Sequence, residues 1–174
     1  MITEIFVDLD GVLADFYKRF DELYKTPAEI DYPSNTKKKA AFVKKFHNFI
    51  ASGQFATLDF MPDSELGLKF LRELHKTIPV CILTSTAREE YLNEVSRQKR
   101  IWLKEHSIEF NPVFVPGKHL KRYYSKPGRV LIDDTESNIT EWREMGGIGI
   151  LHKSWKETIR EYKEHEESIR RNKS

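Results

Sequence analysis

The chain predicts an α/β fold, a three-layer parallel sheet with a small helical cap inserted after the first strand. Three observations carry that expectation. Short β-branched or aromatic runs recur at about strand length: Ile2 to Leu9, Pro79 to Leu83, Pro112 to Val115, Val130 to Ile132 and Ile148 to Leu151. Helical apolar spacing separates the later runs, and strands alternating with helices imply parallel pairing by crossover connections. Between residues 15 and 60 no strand-like run occurs, yet Phe16, Tyr17, Phe20, Tyr24, Phe42, Phe46, Phe49, Phe55 and Phe60 crowd into it.

The elements follow in order. After the first strand, helices are expected near Gly11 to Lys25 and over Thr36 to Ala51, joined through Pro33-Ser34-Asn35. Leu66, Phe70, Leu71 and Leu74 give the next helix, and Tyr91, Val95, Ile101 and Trp102 mark one ending near His106. Ile139 and Trp142 mark a short helix closed by Gly146, followed by the last strand. From Trp155 a highly charged helix docks through Trp155 and Ile159. The expected division is an α/β core of residues 1–14 and 61–174 and a cap of residues 15–60.

Composition bounds the function. The 174 residues carry 29 Lys+Arg against 27 Asp+Glu, a net charge of +2 that gives no reason to expect a nucleic-acid coat protein. A single cysteine, Cys81, excludes a disulfide framework and a cysteine-rich metal site. No apolar run is long enough to span a bilayer, and the first residues do not read as a signal peptide. A cytoplasmic protein without a membrane partner is the expectation.

The chemistry lies in the acidic residues. Asp8 and Asp10, two apart at the end of the first strand, point to one side of an extended chain, and Gly11 lets the backbone turn. Asp133-Asp134 follows a later strand in the same position. In an open parallel sheet that edge is where ligands bind. One of the second pair could cap the helix opening at Thr135, but capping accounts for a single carboxylate. Four oxygen donors at two strand ends suit a divalent cation, Mg²⁺ in particular. Thr84-Ser85 at a third strand end, with Lys118, Lys121 and Lys126 ahead of Asp133, supply hydroxyls and positive charge for phosphate oxygens.

These residues resemble the haloacid dehalogenase superfamily, whose first motif is matched by Asp8-Leu9-Asp10-Gly11-Val12-Leu13. Leu83-Thr84-Ser85 resembles the second motif and Leu131-Ile132-Asp133-Asp134 the acidic fourth. The resemblance covers residues 2–151 and implies a Rossmann-like core. Gly11-Val12-Leu13-Ala14-Asp15-Phe16 and Gln98-Lys99-Arg100-Ile101-Trp102 are similar to the 5'(3')-deoxyribonucleotidase group and small phage and bacterial nucleotidases.

The resemblance implies that Asp8 attacks phosphorus to form an aspartyl-phosphate, with Asp10 as general acid and then base. It implies Mg²⁺ on Asp8, the Asp10 carbonyl, Asp133 and Asp134, with Thr84, Ser85 and Lys121 on the phosphate. Lys126 and Lys118 are the next candidates for that lysine. Phe16 and Phe55 of the cap, with Lys99, are the candidate substrate contacts; a small aromatic core and a helix-surface lysine are the alternatives. The expected substrate is a (deoxy)nucleoside monophosphate. Two alternatives remain: a polynucleotide 3'-end phosphatase using the cap lysines (Lys37-Lys38-Lys39, Lys44-Lys45) with Lys118, Lys121, Arg122 and Lys126, and a non-catalytic phosphate-binding module. Oligomeric state is left open.

Overall fold

The structure, a computed structural model, describes residues 1–25 and 36–171. The expected Pro33-Ser34-Asn35 connection lies outside the described residues. Strand β1 (Glu4–Val7) is followed by helices α1 (Phe16–Tyr24) and α2 (Thr36–Ala51), a 3₁₀ turn (Gln54–Thr57) and α3 (Ser64–His75). Next come β2 (Val80–Ser85), α4 (Leu92–Glu105), β3 (Asn111–Val115) and a 3₁₀ segment (Lys118–Tyr124). The chain ends with β4 (Arg129–Asp133), α5 (Glu136–Glu144), β5 (Ile148–Leu151) and α6 (Trp155–Arg171). The expected strands and helices are present, with a helical insertion after β1.

All strands pair in parallel in the order β3-β2-β1-β4-β5, which places β1 at the centre. That position explains its composition: a strand covered on both faces reads as a continuous apolar run, and Ile5, Phe6 and Val7 are all buried. Alternation divides the core. Ile5, Val7, Ile82 and Ile132 face a large cluster completed by Leu71, Trp102, Trp155 and Tyr162. Phe6, Leu83 and Leu131 face a smaller one with Ile139 and Trp142. The sheet is thus sandwiched between helix layers.

The insertion adds no separate core, for Phe20, Phe49 and Phe55 join the larger cluster. Buried Gln98 on α4 ties it down, donating to the Ile50 carbonyl at 2.8 Å and accepting from the Phe55 amide at 3.1 Å. Trp102 Nε1 donates to the Leu58 carbonyl at 2.7 Å. The two ends of the insertion meet where Ala14 bridges Phe60 and the Asp15 amide donates to the Asp59 carbonyl.

One boundary differs from expectation. α1 starts at Phe16, because residues 11–14 form a tight turn rather than helix. Gly11 takes φ +76°, and the Leu13 and Ala14 amides both donate to the Leu9 carbonyl. Asp15 then caps the helix, its side chain accepting from the Lys18 amide. Among the described residues no helix is long and apolar enough to cross a membrane.

Candidate active site

The carboxyl ends of β1 and β4 are neighbours, since Val7 pairs with Ile132 and the Asp8 amide donates to the Ile132 carbonyl. This register brings Asp8 beside Asp133. Lys121, 2% exposed, lies between them, its ammonium 2.7 Å from Asp133 Oδ2 and 2.9 Å from Asp8 Oδ1. Asn138 donates to both oxygens of Asp133, and the Thr135 amide donates to Oδ1. The helix-capping role considered for this pair is not taken: Thr135 is the N-cap of α5 with no side-chain cap bond, and Asp133 accepts from the Thr135 amide ahead of the helix. Desolvation opposes the charge on Lys121, but Asp133 and Asp8 outweigh it and hold its pKa above the ordinary lysine value.

A second buried lysine holds the second aspartate. Lys99, 1% exposed, donates to Asp10 Oδ2 at 2.6 Å, Thr84 Oγ1 at 2.7 Å and the Ser85 carbonyl at 2.9 Å. It therefore sits behind the site rather than on a helix surface. Asp10 Oδ1 is buried and has no hydrogen-bond partner among the described residues. Burial raises the pKa of Asp10 against the pull of Lys99; burial and then the Asp133 charge raise that of Asp8 against Lys121.

Asp8, Asp133 and Asp134 each offer one carboxylate oxygen within 4.8 Å of the others. Burial, then repulsion from Asp8 and Asp133, pushes the Asp134 carboxyl up to about 7. Gly11 makes room for this crowding, because a Cβ there would collide with Asp134 Oδ2 and sit 2.7 Å from the Tyr17 ring. An oxygen-only donor set with more carboxylates than ammonium groups at its centre fits a hard divalent cation.

A cavity of about 240 Å³ opens above these groups. Asp8, Asp10, Asp134, Ser85, Lys118 and Lys121 line one end, and Phe16, Phe42, Phe46 and Phe55 the other. Phe16 and Phe55 stack with ring centroids 5.6 Å apart and planes 8° apart. Both also belong to the core around the insertion, so core and cavity wall are one set of rings. Of the hydroxyl pair, Ser85 reaches the cavity, while Thr84 is fully buried behind it on Lys99. Among the three lysine candidates, Lys121 meets the aspartates, Lys118 lines the cavity and Lys126 does neither.

Residues 1–168 match the family described as 5' nucleotidase, deoxy (pyrimidine), cytosolic type C protein. The chain belongs to this family. It is a hydrolase of the 5'(3')-deoxyribonucleotidase type. Solved structures agree on the fold. A haloacid dehalogenase-like hydrolase from Streptococcus pneumoniae has 16% identity and a TM-score of 0.52, covering 85% of this chain and 83% of its own. A haloacid dehalogenase family enzyme from Bacteroides thetaiotaomicron, in complex with magnesium and inorganic phosphate, has 15% identity and a TM-score of 0.53, over 88% and 96%. A haloacid dehalogenase-type hydrolase from Bacillus subtilis, bound to magnesium, gives 13% and 0.53, over 84% and 85%. No curated protein sequence matches the chain.

Two residues of this nucleotidase-family site escape a reading of its acidic motifs. Asn138 braces Asp133, and Tyr17 reaches into the cavity from α1. Asn138 lies in phase with Trp142, one position from Ile139, on the buried face of α5, so its polarity in an apolar stripe was the available signal. Tyr17 carries no such mark, because a tyrosine among phenylalanines reads as core.

Proposed function

We propose that the chain hydrolyses (deoxy)nucleoside monophosphates, with Asp8 as nucleophile, Asp10 as general acid and base, and Mg²⁺ as cofactor. The observation that carries this reading is the two-ended cavity. Its charged end suits a phosphate and a cation, and its aromatic end suits a nucleobase. The residues that would hold Mg²⁺ are Asp8, Asp133, Asp134 and the Asp10 main-chain carbonyl. When bound, the cation supplies charge that lets an anionic phosphate approach the carboxylates.

The rest is derived from the chain's own groups. Asp8 Oδ1 is held by the Leu9 amide at 2.8 Å and by Lys121, which leaves its other oxygen to attack phosphorus. The P–O bond to the nucleoside breaks, and the departing alkoxide takes a proton from Asp10. Asp10 then withdraws a proton from the water that attacks the aspartyl-phosphate, releasing phosphate and restoring Asp8. Lys99 on Oδ2 supports this role, since Oδ1 is left without a hydrogen-bond partner among the described residues. Ser85, Lys121 and Lys118 are the proposed phosphate contacts, with Thr84 acting through Lys99. Residues 15–60 are the proposed cap, and the proposed location is the cytoplasm.

The test is a panel of deoxyribonucleoside and ribonucleoside monophosphates beside an oligonucleotide 3'-phosphate, each with Mg²⁺ and with EDTA. Release of phosphate from free mononucleotides, abolished by EDTA and lowered at least about 10⁴-fold in Asp8→Asn, is expected. Native-level turnover by folded Asp8→Asn, or turnover confined to the oligonucleotide, overturns the reading.

A further inference from the structure

Helix α4 carries two adjacent buried polar residues that serve different ends of the cavity. Gln98 is fully buried, and its side chain is fully engaged. The amide nitrogen donates to the Ile50 carbonyl at 2.8 Å and to Glu94 Oε1 at 2.7 Å, and the oxygen accepts from the Phe55 amide at 3.1 Å. Both N–H donors and the oxygen are thereby committed, which leaves the side chain one orientation. Lys99, the next residue, donates to Asp10 Oδ2, Thr84 Oγ1 and the Ser85 carbonyl. An ammonium has three donors, so none is left for a substrate.

The two residues meet again at Phe55. Gln98 holds it by the main chain, and the Lys99 ammonium lies 5.1 Å from the centre of its ring. One turn further along α4, Trp102 holds the Leu58 carbonyl. The 3₁₀ turn that carries Phe55 is therefore mounted on the same helix that grips Asp10. Phe55 in turn stacks on Phe16, and both rings line the cavity. The separation between Asp10 and the aromatic wall is thus set by one rigid element.

We propose that Gln98 is a positioning residue that seats the Phe55 ring at a fixed distance from Asp10, so that the site selects phosphomonoesters whose alcohol carries a flat ring at that separation over those that lack one. This rests on the nucleotide reading of the cavity given above. A glutamine that only braced the fold would lower turnover of every phosphate ester alike. One that seats Phe55 affects the substrates that bring a base to the ring, and it acts on their binding.

The test compares a deoxyribonucleoside 5'-monophosphate with 2-deoxyribose 5-phosphate, which keeps the sugar and phosphate and lacks the base, using the full chain with Mg²⁺. The wild type should favour the nucleotide in kcat/KM. Gln98→Met keeps the length of the side chain and removes its hydrogen bonds. In that variant the preference should fall about tenfold, through KM for the nucleotide, with its kcat within about twofold. Phe55→Leu should lose the preference to a like extent, and adding Gln98→Met should lower it no further, because both act through one ring. Equal losses on the two substrates, an undiminished preference in Gln98→Met, or effects that multiply in the double variant overturn the inference and leave the proposed function standing. Where Gln98→Met does not fold, Phe55→Leu decides, and an unchanged preference in it overturns the inference. A wild type that hydrolyses both substrates equally well overturns the reading of the aromatic end as a base site, and this inference with it.

Discussion

The two ends of the cavity are built on opposite physical terms. At the sheet end, Lys121 and Lys99 each hold carboxylates at 2.6 to 2.9 Å, and Asn138 fixes Asp133 further. Such charge-assisted contacts are directional, and removing either partner leaves an uncompensated buried charge. At the insertion end, Phe16, Phe46 and Phe55 meet ring to ring at 5.6 to 6.2 Å, stacked or edge-on. Those contacts are individually weak and tolerant of shape. The proposed reacting groups thus sit where geometry is over-determined, and the proposed substrate contacts where it can vary.

The largest break in this contrast should come from Lys121→Met. Asp8 and Asp133 would then face each other without their shared ammonium, costing about 3–5 kcal/mol of stability. Urea denaturation in EDTA measures the loss, and added Mg²⁺ should restore part of it. An unchanged midpoint would mean that the carboxylates are not both charged in the folded protein.

At the other end the effect should be milder and of a different kind. Phe16→Leu removes one stacking face of the aromatic wall, a change worth about 0.5–1.5 kcal/mol. Because that contact is equally present before and during reaction, KM should rise roughly three- to tenfold with kcat nearly unchanged. A fall in kcat with constant KM would instead place Phe16 among the groups that organise the chemistry.

A third expected effect is a pH dependence confined to the sheet end. Asp134 is raised from 3.8 to about 7, and Asp8 and Asp10 shift in the same direction. Between those values the folded protein keeps a proton that the unfolded chain has lost, so stability declines as pH rises through that window. Melting temperatures in EDTA should fall from pH 4 to 7, with a shallower slope in Asp134→Asn. A slope unaffected by the substitution would assign the dependence to other groups.

Much of this architecture was legible in the residues, for reasons that also explain what was not. β1 and β4 read correctly because a strand buried on both faces must be apolar throughout, so acidic residues at its end stand out. The expected helix over Thr36 to Ala51 matches α2 to its ends. The turn after Asp10 has no such match, since Val12-Leu13-Ala14 is compatible with helix and only the positive φ of Gly11 diverts it. From sequence, Lys99 is expected as a surface residue or a substrate contact. Yet Val95, Gln98, Lys99, Trp102 and Leu103 form one buried stripe on α4, so the lysine lies in phase with core positions. The periodicity carried the signal; what it could not carry was the partner, because Asp10 lies 89 residues away.

The parallel register has one more consequence, for how this chain can change in length. Val7 faces Ile132, and side-chain direction in a strand alternates at every residue. Removing one residue between Glu4 and Val7 would exchange the faces of the strand, turning Phe6-type positions toward the larger cluster and rotating Asp8 away from Asp133 and Lys121. By contrast, the two ends of the insertion meet at Ala14 and Phe60, so residues between them can be gained or lost without disturbing that register. With the insertion as the proposed cap, substrate range is free to drift through insertions and deletions in that segment, while β1 is closed to them.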